Sequence, residues 1–323
     1  MYTAKQMKID LKTLKFTVIV VAVTGECNLH CEFCAYNTIK CHKKMSYETV
    51  SQLFDEIDSC PEEENFLICW SGGEPTYDIE HLLACQKIML DRNYRQGKII
   101  QAMMTNGWWA NDDDVVEKIK NMNLDIIGVS GSPCHIKEVP ADNMVKIIEM
   151  FEDTPTTVWI YLNGKCYDLY PKAHEIVPVE NQFAHAIRRP NWTIHDVVKF
   201  SKQVEPYDLQ VRKDITGLYL HPNGAIGSSC AEEGNCPCIL GNVHTQGALW
   251  KAVQGVKTAK TRNLIIKNCT IENCDELRFS GCRFCKQAGY NVSCFADSDE
   301  VHEIEFEDIV KNTPEPRRPT PKY

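Results

Sequence analysis

The chain has 323 residues, 43% apolar and 24% charged, a balance that excludes wholesale disorder and allows one large domain or two ordinary ones. With 35 Lys+Arg against 44 Asp+Glu the net charge is −9, so there is no global field for a nucleic-acid backbone. The longest strongly apolar run, 16–23, is far short of the roughly 20 residues that span a membrane, so neither nucleic acid nor membrane is an expected partner.

That first run follows Lys5, Lys8, Lys12 and Lys15, like a short secretory signal, but it leads straight into Cys27, Cys31 and Cys34 without a small-residue cleavage site. It reads as a buried first strand. Further short runs at 66–70, 99–104, 124–129, 157–162 and 209–212, mostly β-branched, read as strands buried on both faces. Helices are expected between them. One is capped by Ser46, with Val50, Leu53, Phe54 and Ile57 on one stripe. Another follows Asn111 with Val115, Val116 and Ile119, and a third follows Asp142 with Met144, Val145, Ile148 and Phe151. About six β-α units imply an α/β fold with a parallel sheet and right-handed crossovers. In such folds chemistry sits beyond the strand C-termini.

Beyond about 212 the periodicity fades and Gly, Pro, Asn and Cys rise. Eight cysteines fall here: Cys230, Cys236, Cys238, Cys269, Cys274, Cys282, Cys285 and Cys294. A loop-rich segment with a thin core needs staples. The chain carries 17 cysteines, an odd number that a disulfide framework cannot fully pair. A reducing cytoplasm with free or metal-bound thiols is the expected setting, so the staple is expected to be a metal centre. Three regions follow: a core over 1–211, a cysteine-rich domain over 212–297, and a tail over 298–323, acidic and then marked by Pro314, Pro316, Pro319 and Pro321.

The first cysteine cluster follows strand one, with Cys27, Cys31 and Cys34 spaced C-x3-C-x2-C. Three close thiolates can hold three corners of an iron–sulfur cube and leave the fourth iron open to substrate. The alternative is zinc, with His30, Cys41 or His42 as the fourth ligand. Ser71-Gly72-Gly73-Glu74-Pro75 follows the second strand, where glycines permit close backbone approach and a carboxylate can accept from an ammonium. Thr105-Asn106-Gly107 follows the third strand and Ser130-Gly131 the fourth.

These segments together resemble the radical S-adenosylmethionine (SAM) enzymes, whose signature C-x3-C-x-Φ-C is matched by Cys27, Cys31, aromatic Phe33 and Cys34. Asn28-Leu29 after the first cysteine fits the same pattern, and the resemblance is clear over about 14–165. It implies a partial (β/α)6 TIM-like barrel and a [4Fe-4S] cluster whose unique iron chelates SAM. Reductive cleavage of SAM to a 5′-deoxyadenosyl radical would then abstract a substrate hydrogen. Phe33 would pack near the adenine. Gly72, Gly73, Glu74 and Pro75 would bind the SAM amino group, with Thr105, Asn106 and Ser130 completing the cofactor site.

The region 218–294 resembles a SPASM or Twitch extension, which in that family carries auxiliary [4Fe-4S] clusters. Its core spacing, C-x4-C-x7-C-x2-C, departs from the usual C-x2-C-x5-C-x3-C, and the cysteine expected shortly before Gly224 is missing, with Cys236 and Cys238 filling in. Eight thiols suit two clusters, or one cluster plus free thiols, or a pair of zinc sites. The other six cysteines, Cys41, Cys60, Cys69, Cys85, Cys134 and Cys166, read as ordinary small buried residues.

Auxiliary clusters imply a maturase of a ribosomally made precursor peptide, giving either an oxidative crosslink (thioether or carbon–carbon) or a redox-neutral epimerisation. Cys230 is the candidate hydrogen donor in the latter and a candidate cluster ligand otherwise. An external electron donor of flavodoxin or ferredoxin type is implied. Only 26 residues precede Cys27, so leader recognition is expected from the chain's own surface or a separate protein. Trp108, Trp109, Trp159, Tyr161 and Trp192 could line a groove, although core packing suits most of them. Two other classes stay open: a radical SAM dehydrogenase of a small molecule, and a non-catalytic iron–sulfur or zinc protein.

Overall fold

The computed structural model describes residues 16–30, 43–131, 138–140, 142–161, 207–213, 217–227, 239–258, 262–269 and 301–305. The chain divides into two compact units, one made of Met1–Arg188, Thr216–Gly234 and Ile239–Val256, the other of Arg189–Ile215, Asn235–Cys238 and Lys257–Tyr323.

In the first unit the elements run β1 (Thr17–Thr24), α1 (Tyr47–Asp58), β2 (Phe66–Gly72), α2 (Ile79–Leu90), β3 (Ile99–Thr105), α3 (Asp113–Asn121), β4 (Ile126–Ser130), α4 (Asp142–Met150) and β5 (Thr157–Tyr161). Short 3-10 turns, Pro75–Asp78 and Trp108–Asn111, follow β2 and β3. The sheet order is β5-β4-β3-β2-β1 and then β7 (Gly217–Leu220), β8 (Ala225–Gly227) and β9 (Ile239–Asn242). The pairings from β5 through to β7 are all parallel, and β8 and β9 add antiparallel strands. This is an open, parallel-rich α/β sheet of the partial TIM-like kind. Helix α5 (Ala248–Thr258) follows β9.

The continuous apolar character of β1 is explained by burial on both faces. Ile19, Val21 and Val23 join Val50, Leu53, Phe54 and Ile57 of α1 in the main core. Val18 and Val20 pack instead against Leu67, Cys69, Ile100, Ala102 and Ile126, with Met104 and Trp159 at the margin of that second cluster. Ser46 caps α1 as expected, accepting from Thr49 N at 3.1 Å. Asp112 rather than Asn111 caps α3, accepting from Val115 N at 3.2 Å. Glu56 of α1 is buried and accepts from Gly247 N (2.9 Å) and Leu249 N (3.0 Å), so it caps α5 from the side.

In the second unit β6 (Tyr207–Lys213) pairs antiparallel with β10 (Arg262–Cys269), which pairs parallel with β11 (Val301–Glu305). The strand read at 209–212 thus belongs to this sheet, not to the main one. Main-sheet strand β7 instead comes from 217–220, and β11 lies in the stretch read as an acidic tail. Among the described residues no helix is long and apolar enough to cross a membrane.

Candidate functional site

Strand β1 ends at Thr24, and the chain turns through Gly25-Glu26 to Cys27. Glu26 N donates to Thr24 Oγ1 at 3.0 Å, which tightens that turn. Leu29 N donates to Cys27 Sγ at 3.3 Å, so the sulfur already receives a backbone hydrogen bond of the kind a thiolate needs. The chain returns at Lys43: Gly25 N donates to Lys43 O (2.8 Å) and Met45 N to Val23 O (2.8 Å). Lys44 Nζ lies 3.4 Å from Glu26 and 2.5 Å from Asp78, joining both ends of the cysteine loop to the turn after β2. The Asp78 carboxyl is held below its usual range, chiefly by the hydrogen bond from Lys44.

The loop after β2 lies directly on this turn. Gly73 N donates to Thr24 O at 2.7 Å and Glu74 N to Glu26 O at 2.8 Å. A Cβ at Gly72 would meet Thr24 O at 2.1 Å, and one at Gly73 would meet Glu26 O at 2.1 Å. The two glycines are therefore needed for close approach, as expected, but what approaches them is the cysteine loop itself.

Glu74 is 1% exposed. Its Oε1 accepts from Thr76 N (3.2 Å), Thr76 Oγ1 (2.5 Å) and Thr105 Oγ1 (2.8 Å), and its Oε2 accepts from Asn106 N (2.8 Å). Pro75 at the start of the 3-10 turn fixes the backbone so that Glu74 can cap it. Burial pushes the Glu74 carboxyl up despite these donors, which act the other way. All of them are neutral, and Oε2 carries one where Oε1 carries three. A buried carboxylate of this kind suits a cationic partner.

Thr105 and Asn106 are buried at the end of β3. Thr105 Oγ1 donates to Glu74 and accepts from Gly107 N (3.1 Å) and Trp109 Nε1 (3.0 Å). Thr76 Oγ1 similarly accepts from Trp108 Nε1 at 2.9 Å. Asn106 Oδ1 accepts from Trp108 N (3.0 Å), while its Nδ2 donates to Asn28 Oδ1 (2.9 Å) and points at Cys27 Sγ (3.9 Å). Gly107 sits at φ +78, and its carbonyl accepts from Asn143 Nδ2 of α4 at 3.0 Å. Ser130 ends β4, half-buried and in register with Tyr161.

The structure thus gathers Cys27, Gly72, Gly73, Glu74, Pro75, Thr105 and Asn106 at adjoining strand ends. Cys31, Phe33 and Cys34 lie outside the described residues, as do Cys230, Cys236, Cys238, Cys274, Cys282, Cys285 and Cys294. Cys269 is the last residue of β10. Among the described residues no three His, Cys, Asp or Glu side chains converge on a metal position. Trp109 is wholly buried core rather than a groove wall. Cys60, Cys69 and Cys85 are buried, and burial pushes the thiols of Cys69 and Cys85 up to about 12.

Sequence reasoning missed Thr76 and the two indole donors. A Thr just after Glu-Pro and two consecutive Trp N–H groups beside Thr-Asn-Gly were the available signals, since buried indoles seek acceptors.

Residues 21–131, which run from the second half of β1 through β4 and include Cys27, Gly72, Gly73, Glu74, Pro75, Thr105, Asn106 and Ser130, match the family model of the radical SAM superfamily. The match is confined to that segment, and the superfamily it describes is one that uses a [4Fe-4S] cluster and SAM. No curated protein matches the chain. Among solved structures, anSMEcpe with bound AdoMet aligns at TM-score 0.53 and 14% identity, covering 92% of this chain and 96% of that one. Native anSMEcpe with bound AdoMet and Cp18Cys peptide aligns at TM-score 0.52 and 15% identity, covering 93% and 95%. At such identity the likeness to the radical SAM segment and its flanks is one of fold.

Proposed function

We propose that the chain is a radical SAM enzyme that abstracts hydrogen from a precursor peptide and so installs a crosslink or inverts a residue. The observation that carries the chemistry is Glu74, a buried carboxylate among neutral donors, linked through Asn106 to Cys27. Cys27, Cys31 and Cys34 would hold the cluster. Glu74 would take the SAM ammonium at Oε2, the oxygen with the lighter hydrogen-bond load. When bound, cluster and SAM supply one electron and a carbon radical able to take a substrate hydrogen. The chain's own part is to hold Cys27 and Glu74 in fixed register, through Gly73 N to Thr24 O and Glu74 N to Glu26 O, and to keep water from the carboxylate.

The peptide reading draws support from anSMEcpe, a protein of the same fold that was solved with a bound Cp18Cys peptide. The eight late cysteines support one or two auxiliary clusters. Cys230 then serves as ligand or hydrogen donor, and a flavodoxin or ferredoxin type protein supplies the electron.

Anaerobically reconstituted protein given SAM and a reductant should release 5′-deoxyadenosine. Co-expression with a short peptide encoded beside the gene, in D2O, sorts the outcome: loss of two hydrogens marks a crosslink, and one added deuterium marks epimerisation. Turnover undiminished in Cys27→Ala rules out the proposed chemistry.

A further inference from the structure

The side chain of Asn106 is 5% exposed and fully committed. Which end of its amide faces Cys27 is decided by its other partner. Trp108 N is a donor and lies 3.0 Å from Oδ1, so that atom must be the oxygen, and the NH2 is turned toward Asn28 and Cys27. The two NH2 hydrogens then have two acceptors, Asn28 Oδ1 at 2.9 Å and Cys27 Sγ at 3.9 Å. The backbone N of the same residue is anchored on Glu74 Oε2 at 2.8 Å, which fixes the amide's height over the cysteine loop. With Leu29 N at 3.3 Å on the same sulfur, Cys27 faces two N–H donors from two different loops.

From this geometry we infer that Asn106 is a positioning residue that sets the electron affinity of the cluster through Cys27. The inference rests on the radical SAM reading and assigns to Asn106 a role other than direct contact with SAM. Donors aimed at a ligating sulfur disperse the negative charge that grows when the cluster takes an electron, and so raise its reduction potential. The Glu74 anchor is part of the device: it keeps the amide where its NH2 can reach the sulfur.

The test is a redox titration of the reconstituted full-length protein, followed by electron paramagnetic resonance of the cluster whose signal changes on adding SAM. Asn106→Asp keeps the acceptor for Trp108 N and replaces the NH2 by a negatively charged oxygen. At a fixed solution potential its reduced-to-oxidised ratio should fall at least tenfold, equivalent to 59 mV for one electron. Asn106→Ala, which only removes the donor, should shift the ratio in the same direction by less, and it decides the matter should Asn106→Asp fail to load iron. Asn143→Ala loosens the same turn from the α4 side without a group near Cys27, and should leave the potential unchanged. Variants at 106 that load a full cluster at the wild-type potential overturn the inference while leaving the radical SAM reading intact. Wild-type protein that binds zinc in place of a cluster overturns both.

Discussion

Gly73→Ala tests whether the two loops are locked together as described. The added Cβ would lie 2.1 Å from Glu26 O, 2.6 Å from Glu26 C and 2.8 Å from Gly25 O, all backbone atoms that cannot swing aside. Relief requires the loops to part. Parting them loses the hydrogen bonds from Gly73 N to Thr24 O and from Glu74 N to Glu26 O, at about 1 kcal/mol each. Residual overpacking adds typically 1–3 kcal/mol, so the expected loss is about 3–5 kcal/mol. Gly97→Ala is the control: Gly97 sits at φ +80 with nothing within 4 Å of a built Cβ, so its cost is the left-handed backbone alone, about 1–2 kcal/mol. Urea unfolding of the apo proteins measures both, and iron content after reconstitution should fall for Gly73→Ala only. Equal costs for the two variants, with equal iron, would refute the interlocked-loop account.

Other outcomes follow from the same contacts. Glu74→Gln puts an NH2 opposite Asn106 N, leaving that buried backbone donor and the new NH2 both unmet, at about 1–3 kcal/mol each. Because burial raises the folded-state pKa of Glu74, its contribution to wild-type stability is complete below the unfolded pKa and is lost as pH rises through the folded one. The apo variant's deficit should therefore shrink from pH 5 to pH 8 in urea melts; a deficit that grows with pH contradicts the assignment. Glu56→Ala removes the acceptor for Gly247 N and Leu249 N, and should raise hydrogen exchange at the start of α5 while sparing β2 and β3. The Asp78–Lys44 pair is partly exposed, so Lys44→Met should cost under about 1 kcal/mol. The lowered Asp78 pKa makes that contribution present above the unfolded value and lost as pH falls through the folded one, and denaturation at two pH values with and without salt checks it.

The five core strands were legible because each is a short, mostly apolar run bounded by turn residues, the texture expected of strands covered on both faces. The run at 209–212 has the same texture, but four residues do not declare which sheet they join, and β10 takes them. Strand β7 was hidden for a related reason: Gly217–Leu220 is short and lies in a stretch rich in turn formers, and its place is set by parallel pairing to β1 across the whole core. At the site, the residue types were readable and their partners were not. Gly72-Gly73 announced a close approach without saying to what. Glu74 announced a charge without revealing that Thr76, Thr105 and Asn106 already grip it. The bonds from Thr105 and Asn106 join residues 31 and 32 positions apart, which local pattern cannot show.

The account depends most on a cluster at Cys27, Cys31 and Cys34 that keeps one iron for SAM. The most direct measurement is electron paramagnetic resonance of the reduced, reconstituted protein with and without SAM, run beside Cys27→Ala. A [4Fe-4S] signal that changes when SAM is added, and is missing from the variant, is the predicted result. A spectrum with no SAM-sensitive component, or a SAM-sensitive component that survives Cys27→Ala unaltered, would contradict it.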